Sequence, residues 1–380
     1  MHEPPFCPNH HCHCHYPIDD QSRRRWYCRD GSFVSAREGI TRRFSCRYCG
    51  KRFSEATFST DYYAKRRINL YRLRRMLVSG VSIRAASRQL FCAPGTVARR
   101  LVILARQSIA AQAEICDHHT SGEPLVADGF QSFWVSQYHP NNFNLLCGSE
   151  SQYVYALTSV SLKRSGRMTD CQRRTRDRIE LEDPTDPAAL ERSFGELVNA
   201  AARLWHNQRV IGVRPPGSCV LVTDEHQTYP RSILPFRASS SIEHQTVSSR
   251  IARTRENPMF AVNYLDREIR KDMAEHHRET VCFARNAAQS VARMWIYLVW
   301  HNLEKPYRIS PRSQRTHAEV SGVSPVTVQR QRRKFYRKRA FLCRCTKLSE
   351  AQRRDWLQLH WTPEREIRRS RRVTPSYAAA

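Results

Sequence analysis

The chain of 380 residues carries a formal net charge of +28, has a sequence pI of about 10.1 and is 40% hydrophobic. This length and apolar content predict a globular protein with more than one domain, and the positive charge favours a polyanionic partner, most commonly nucleic acid. No apolar run reaches the length of a membrane span and no signal-peptide core opens the sequence, so the 14 cysteines indicate metal binding in a reducing cytosol rather than a secreted disulfide framework.

Residues 1–58 are rich in cysteine, histidine, arginine and aromatic residues, and two cysteine clusters bracket them, "CPNHHCHC" and "CRYCGKRF". The second cluster has the spacing of a zinc knuckle, in which Gly50 lets the backbone turn around the thiolates. A tetrahedral zinc ion needs four ligands, and the preferred set is Cys7, Cys12, Cys46 and Cys49. Alternative ligands remain open in the first cluster and between the two: Cys14, Cys28, His10, His11, His13 and His15.

Residues 59–115 have the pattern of three helices. The first ends at Gly80, the second follows Ser82, and the third begins at residues 94–96 after the turn "FCAPGT". A short helix, a tight turn and a further helix with arginines near its start predict a helix-turn-helix unit. In this arrangement Arg99 and Arg100 reach toward DNA, while Val97, Leu101 and Leu104 pack inward.

Residues 120–310 carry the strongest strand signals, followed by long amphipathic segments, which predicts an α/β domain. The polar stretch 163–187 is expected to be an exposed insertion, and residues 260–302 are expected to form a long helical region. The arginine-rich segment 311–380 is predicted to be a basic, partly helical tail. Residues 317–335 also fit a second small helix-turn-helix, but the composition favours a solvated, partly disordered tail.

Two acids stand at comparable places in the predicted sheet. Asp128 and Asp224 each follow a short apolar run, "LVA" and "VLVT", so each is expected to close a strand. Neighbouring carboxylates repel unless a cation lies between them, and Mg²⁺ prefers oxygen ligands. A pair of such ions supports phosphoryl transfer. A third acid is expected from a helix packed across the strands, and the two candidates are Asp266 and Glu279.

The sequence resembles bacterial insertion-sequence transposases of the DDE type, which have a ribonuclease-H-like catalytic domain. The resemblance covers residues 5–310 and is carried by residues 46–66, 128–148, 223–230 and 257–286. It implies a multidomain α/β protein with an amino-terminal zinc ribbon (1–58), a helix-turn-helix (59–115), a ribonuclease-H-like catalytic domain (120–310) and a basic helical tail. The family's first acid falls on Asp128 and its second on Asp224. Asp266 and Glu279 cannot both serve one compact site if the helix is continuous, and Asp266 is preferred.

The resemblance further implies metal-dependent strand cleavage and strand transfer, with Mg²⁺ or Mn²⁺ at the acids and Zn²⁺ in the ribbon. The implied partner is double-stranded DNA, both the element ends and the target, bound by a homo-oligomer in the cytoplasm at the nucleoid. His226 and Tyr229 are candidates for orienting a phosphate or a carboxylate, and contacts to the DNA backbone are expected from Lys271, Arg278 and Arg285.

Two alternatives remain at this point. One is a transcription regulator without enzymatic activity, built from a zinc ribbon, a helix-turn-helix and a large partner-binding domain. A regulator of this kind needs neither paired acids nor a divalent metal. The other is an inactive relic of a transposase that binds DNA and no longer cuts it.

Overall fold

The computed structural model describes residues 3–16, 25–35, 39–62, 64–117, 119, 122–210, 218–240, 242–278 and 280–359. The mixed α/β fold predicted from the sequence is confirmed: the described residues form two separate sheets and a set of helices. Within these residues, no helix combines the length and the apolar character needed to cross a membrane.

The amino-terminal segment folds around a small sheet and its cysteines. Strands β1 (Tyr27–Ser35), β2 (Gly39–Cys46) and β3 (Arg52–Ser54) pair antiparallel in that order. The buried residues of this segment are mainly aromatic rings and cysteines, with Phe44 and Phe53 stacked at 5.7 Å. Phe341, from the other end of the chain, completes this small core. A core this small needs a further source of stability, such as a bound metal.

Three helices follow, as the sequence predicts. Helix α1 spans Leu70–Val78, α2 spans Ile83–Gln89 and α3 spans Pro94–Asp117. The side chains of Asn69 and Ser82 cap α1 and α2 by accepting hydrogen bonds from amides in the first turn. Helix α3 has 24 residues, which is longer than a recognition helix requires, and it packs against a later helix of the chain.

The central sheet has five strands in the order β6-β5-β4-β7-β8. Their bounds are Leu125–Phe133 for β4, Pro140–Gly148 for β5, Val154–Ser161 for β6, Cys219–Asp224 for β7 and Ile242–Val247 for β8. Strands β4, β5 and β6 form an antiparallel meander, whereas β7 and β8 add parallel to β4. Strand β4 is therefore central and has neighbours of both kinds.

Helices cover both faces of this sheet. They are α5 (Ala189–Val210), α6 (Thr228–Ser240), α7 (Phe260–Asp272) and α8 (Ala287–Leu303). A further helix, α4 (Asp170–Glu182), precedes α5. Asn144 of β5 donates to Ser193 of α5, while its neighbour Phe143 contacts His276, just beyond α7. Since successive side chains of a strand point to opposite faces, α5 and α7 lie on opposite faces of the sheet.

Helix α4 belongs to the segment 163–187, and none of its residues is buried, in agreement with the predicted exposed insertion. The prediction of one long helical region over 260–302 was wrong. The structure has α7, a short 3-10 turn at Ala274–His276, an irregular segment and then α8. Glu275 of that turn is buried and paired with Arg293 of α8 at 3.1 Å, so the break is held by an internal ion pair.

The prediction of a solvated, partly disordered tail was wrong for residues 311–359. This segment forms α9 (His317–Val320), α10 (Pro325–Arg337) and α11 (Glu350–Gln358). Val328, Phe335 and Trp356 are buried in the same core as the sheet and α3. The high arginine content misled the prediction because these apolar residues find their partners only on distant segments. Residues 360–380 lie outside the described residues.

Two histidines of α8 and α9 are expected to make stability depend on pH. The buried rings of His301 and His317 stack with centroids 3.8 Å apart, and they donate to the carbonyls of Gln152 and Ser151. Burial lowers the pKa of both, that of His317 to about 4. Because the folded-state pKa lies below the ordinary value near 6.5, the neutral pair contributes stability fully above about pH 6.5 and loses it as the pH falls toward 4.

Urea unfolding between pH 8 and pH 4.5 measures this loss. The variant His301→Gln/His317→Asn keeps a donor in each place and removes the titrating rings, so it should depend less on pH in this window. The exposed residue His277 serves as the control, and His277→Gln should behave like the wild type. Equal pH dependence of the double variant and the wild type would contradict the assignment.

Candidate catalytic acids and metal centre

Asp128 and Asp224 lie at the same level of the sheet. Strands β4 and β7 run parallel with Leu125 opposite Leu221 and Val126 opposite Val222. Two residues further along each strand are Asp128 and Asp224, on the same faces as Val126 and Val222 because side chains repeat every second residue. Asp224 is the last residue of β7, as predicted. Asp128 is not at a strand end, because β4 continues to Phe133 by pairing with β5.

The pKa of Asp128 is affected by the nearby carboxylate of Asp224. The pKa of Asp128 is raised to about 6, mainly by burial and next by the negative charge of Asp224. The Gly129 amide, which donates to Asp128 Oδ1 at 2.7 Å, and the Tyr229 hydroxyl oppose the shift. The charge of Asp224 therefore disfavours ionisation of Asp128, and a cation between the two carboxylates would relieve this repulsion.

Asp266 of α7 is a third carboxylate, within electrostatic reach of Asp128. Burial raises the pKa of Asp266 to about 8, and the charge of Asp128 is the next contribution, against Arg270 and Arg253. Asp266 Oδ1 is buried and has no hydrogen-bond partner among the described residues. An orphaned carboxylate oxygen beside a second acid is a donor group that fits a hard cation such as Mg²⁺.

The structure gives evidence for one of the two candidates for the third acid, Asp266. Asp266 lies close enough to Asp128 for the charge of Asp128 to raise its pKa, whereas Glu279 lies outside the described residues. The premise of a continuous helix between them was wrong, because α7 ends at Asp272. The sequence spacing therefore no longer separates the two candidates, and the proximity of Asp266 to Asp128 favours Asp266.

The three carboxylates do not converge as closely as a ligand set around one ion. Among the described residues, close groups of three or more acid, histidine or cysteine side chains, with all ligand atoms within 4.8 Å of one another, occur at the amino-terminal cysteines. The three acids do not form such a group. Asp128 and Asp224 are therefore in register, and Asp128 interacts electrostatically with Asp224 and Asp266, but the oxygens of the three acids do not surround one metal position.

Tyr229 and His226 both contact these acids. The Tyr229 hydroxyl donates to Asp128 Oδ1 at 3.4 Å, and the buried ring stacks on Phe194 at 4.0 Å. The backbone amide of His226 donates to Asp224 Oδ1 at 3.0 Å, while the imidazole is exposed. Tyr229 is fixed by packing and orients Asp128, whereas the exposed His226 imidazole accepts a hydrogen bond from the Thr228 amide at 3.3 Å and lies beside the Tyr229 ring.

The basic residues expected at the DNA backbone lie on the surface near α7. Lys271, Arg278 and Arg285 are all exposed, and Lys271 also lies 3.7 Å from Glu268. Their contacts to DNA remain a prediction. Sequence reasoning missed Arg253, an exposed residue between β8 and α7 whose charge lowers the pKa of both Asp128 and Asp266. The arginine series at positions 250, 253 and 255 was the available signal.

The four predicted zinc ligands come together in the structure. Ligand atoms of Cys7, Cys12, Cys46 and Cys49 all lie within 4.8 Å of one another, with Cys7 Sγ 3.6 Å from Cys49 Sγ and Cys12 Sγ 3.8 Å from Cys46 Sγ. A tetrahedral zinc ion with Zn–S distances near 2.3 Å places its sulfurs about 3.8 Å apart. The set therefore can hold a metal ion such as zinc. Gly50 has a φ of +66° and its amide bonds the Cys46 carbonyl, which closes the second knuckle.

The local environment of the thiols differs between the two clusters. Burial raises the pKa of Cys7 well above its ordinary value. Burial acts the same way on Cys49, but the Lys51 amide, the Asn9 side chain and the neighbouring thiols outweigh it and lower the Cys49 pKa to about 7. Cys12, His13 and Cys14 form a second close group, so Cys14 remains an alternative ligand, whereas the exposed Cys28 belongs to neither group.

Only one of the two arginines predicted on the recognition helix faces solvent. Arg99 is exposed. Arg100 is buried, and its guanidinium donates to the Thr60 carbonyl at 2.9 Å and to Asp61 Oδ1 at 2.6 Å. The prediction that Arg100 reaches outward was wrong, because an acid 39 residues earlier pairs with it inside the unit.

This difference predicts opposite effects of two neighbouring substitutions. Arg100→Ala should lower the free energy of unfolding by about 3 kcal/mol, since it leaves Asp61 without its buried partner. Arg99→Ala should leave stability unchanged and weaken DNA binding. Urea unfolding and fluorescence anisotropy on a labelled duplex measure the two effects. If Arg100→Ala unfolds like the wild type but no longer binds DNA, its assignment as a structural residue fails.

No family model matches the chain, and no curated protein matches it. The chemistry assigned to the acids and cysteines therefore depends on the geometry and charges of these side chains.

Proposed function

We propose that this chain is a DNA transposase of the DDE type that cuts and joins DNA with the carboxylates of Asp128, Asp224 and Asp266. One observation carries the proposal: the adjacent parallel strands β4 and β7 place Asp128 and Asp224 in register, and α7, packed on β4 and β5, brings Asp266 within electrostatic reach of Asp128. Acids placed this way destabilise the free protein, which is typical of a site kept for chemistry rather than for folding.

The sheet order supports a ribonuclease-H-like catalytic domain. An antiparallel meander is extended by two parallel strands, with the acids on the central strand, on the first parallel strand and on the helix after the second. A parallel addition aligns corresponding strand positions at one edge of a sheet, which is where α/β proteins build their sites.

The proposed chemistry divides between the metal and the protein. Mg²⁺ or Mn²⁺, when bound, would activate the attacking oxygen and stabilise the leaving oxygen of a phosphodiester. Asp128 and Asp224 would hold it, with Asp266 as the third ligand. Tyr229 keeps Asp128 oriented, and the exposed guanidinium of Arg253 lies where it would meet a backbone phosphate entering the site. Water is the first nucleophile, and the 3′-hydroxyl it releases is the second.

The other parts of the chain supply DNA binding in this proposal. The cysteine cluster would hold Zn²⁺ in a ribbon, and the α2-turn-α3 unit would present Arg99 to the element ends. The net charge of +28 supports attraction to duplex DNA. A homo-oligomer on paired element ends is expected, since both ends must be cut and joined together.

A second candidate is a DNA-binding protein of the same architecture that no longer cuts. The observation that favours it is that the three acids do not close around one point. A transcription regulator of the kind described above would likewise be indifferent to divalent metal.

The test is a nicking assay on duplexes carrying the DNA that flanks this reading frame, with Mg²⁺, with Mn²⁺ and with EDTA. Metal-dependent cleavage at one position, followed by joining of the released 3′ end, is the expected result. Tight binding of the same duplexes without cleavage in either metal would contradict the transposase proposal and favour a DNA-binding protein that does not cut.

A further inference from the structure

We propose that residues 316–337 form a second helix-turn-helix, with α10 as its recognition helix for double-stranded DNA. The inference goes beyond the proposed function, because it requires only that the chain binds duplex DNA and not that it cuts. It rests on a correspondence between this segment and the α2-turn-α3 unit, and on the side chains that α10 presents to solvent.

The turns of the two units are built alike. Four residues separate α2 from α3, and four separate α9 from α10. The second turn residue has a positive φ in both, +51° at Phe91 and +102° at Gly322. The third turn residue donates its amide to the carbonyl five positions earlier, from Cys92 to Ser87 and from Val323 to Ala318. A turn of this length with a left-handed residue is typical of helix-turn-helix units.

The second helices also share a sequence pattern and a buried face. Helix α3 opens with "PGTVAR" and α10 with "PVTVQR", so proline, threonine, valine and arginine recur at the same positions. Three buried residues have the same spacing in both, Val97, Arg100 and Leu104 in α3 and Val328, Gln331 and Phe335 in α10, and α3 buries Leu101 and Val102 in addition. The same helical face therefore points inward in each unit, and the same opposite face is left for solvent.

The basic residues of α10 divide into anchors and outward residues. Arg332 donates to the Leu303 carbonyl, and Lys334 pairs with Glu114 of α3. The outward residues are Val326, Gln329, Arg330, Arg333 and Arg337. Among the described residues, neither Arg333 nor Arg337 has an ion pair or a hydrogen bond from its guanidinium. This face offers the contacts that duplex DNA takes: an amide and a guanidinium for base edges near the helix start, and further guanidiniums for phosphates.

An A-form RNA duplex is the less suitable ligand for this face. Its major groove is deep and narrow and does not admit a helix, whereas the major groove of B-form DNA does. The proposal therefore commits to double-stranded DNA, and RNA binding becomes an outcome of the test.

The packing of α10 places this second contact away from the first. Gln107 of α3 donates to the carbonyls of Phe335 and Lys338, and Glu114, seven residues later in α3, pairs with Lys334 and lies near Arg330. The two helices thus pack antiparallel, with their amino-terminal ends at opposite ends of the pair. At 1.5 Å per residue, Arg99 and Arg330 lie about 20 Å apart along the helix axes. The two units are expected to contact separate stretches of one DNA.

The test uses the full-length chain and three double variants. Gln329→Ala/Arg330→Ala removes the expected base contacts, and Arg333→Ala/Arg337→Ala removes the expected phosphate contacts. Arg174→Ala/Arg178→Ala on α4 is the control, since it removes two exposed arginines with the same spacing as Arg333 and Arg337. Binding is measured by anisotropy on the DNA flanking the reading frame and on a scrambled duplex of equal composition, at several salt concentrations.

The phosphate variant should weaken binding to both duplexes about equally and reduce the slope of log K against log salt by about two. The base variant should weaken binding to the flanking DNA by about tenfold or more and the scrambled duplex much less. In hydroxyl-radical footprints, both α10 variants should lose one protected stretch and keep the stretch that Arg99→Ala removes.

Three results would overturn the inference: α10 variants that bind like the α4 control, footprints that lose no separate stretch, or a preference of the wild type for an RNA duplex. The nicking assay keeps this test apart from that of the proposed function. If the chain binds DNA through α10 but does not cut it, the second helix-turn-helix is supported and the transposase is not. If the α10 variants cut DNA as the wild type does, the transposase is supported and the second helix-turn-helix is not.

Discussion

Asp128→Asn and Asp224→Asn are each expected to slow metal-dependent nicking by about a hundred- to a thousandfold and to leave binding of the same DNA within about twofold. Asparagine keeps the shape of the side chain and removes the charge that a metal ion needs from its ligand. The DNA-binding modules lie elsewhere in the chain, so recognition should not change. Nicking rates in Mg²⁺ and in Mn²⁺, with anisotropy on the same duplex, measure the two effects separately.

Asp266→Asn and Glu279→Gln distinguish the candidates for the third acid. Asp266→Asn should match the other two Asp variants, because its carboxylate lies within electrostatic reach of Asp128. Glu279→Gln should have a milder effect. Nicking that survives Asp266→Asn and is lost in Glu279→Gln would move the third ligand to Glu279 and leave the other assignments in place. Full activity of Asp128→Asn or Asp224→Asn would refute the enzyme.

Stability gives these acids a second readout that does not depend on cleavage. Mutual repulsion and burial destabilise the metal-free protein, so Mg²⁺ should raise the melting temperature of the wild type by binding the folded state. The Asp variants should melt higher without metal and respond little to Mg²⁺. Asp177→Asn on the exposed helix α4 is the matched control and should behave as the wild type does. If Mg²⁺ changes the melting temperature of the wild type and of the Asp variants equally, the assignment of these acids as a metal site is wrong.

The parts of the site that the sequence predicted are those with a strong local signal. An apolar run ending in an acid identified Asp128 and Asp224, and the cysteine spacing identified Cys46 and Cys49. The parallel register between β4 and β7 then aligns the two acids, but no local pattern contains that register. The same limit explains why β4 was expected to end at Asp128, since its continuation depends on pairing with β5.

The errors share a cause, which is that a distant partner decides the outcome. Arg100 looks like a solvent-facing arginine until Asp61 is placed beside it. The carboxyl-terminal segment looks like a charged tail until Val328, Phe335 and Trp356 meet α3, α8 and the sheet. Composition describes the surface of such a helix well and its buried stripe poorly, because one or two large apolar residues among many polar ones suffice to anchor each helix.

Cys46→Ser and Cys49→Ser are each expected to release a zinc ion bound at about one per chain in the wild type and to unfold the amino-terminal segment. The small aromatic core of this segment cannot pay for chain ordering alone, and metal binding to four thiolates contributes about 10 kcal/mol or more of folding free energy in small zinc domains. Metal analysis and limited proteolysis measure the two effects. Cys28→Ser is the control, because Cys28 is exposed and belongs to neither close group.

The loss should extend to the opposite end of the chain. Phe341 is buried in the ribbon core, and Arg344 donates to the His15 carbonyl at 2.5 Å while its guanidinium lies over the Phe6 ring at 4.7 Å. Unfolding the ribbon should therefore expose residues 339–345 to protease, whereas α10, which packs on α3, should stay protected.

Cys14→Ser separates the two ligand sets: retained zinc supports Cys7, Cys12, Cys46 and Cys49, and lost zinc places Cys14 among the ligands. Stoichiometric zinc in both the Cys46→Ser and the Cys49→Ser protein would exclude the metal centre, because a tetrahedral site that loses a thiolate cannot keep its affinity.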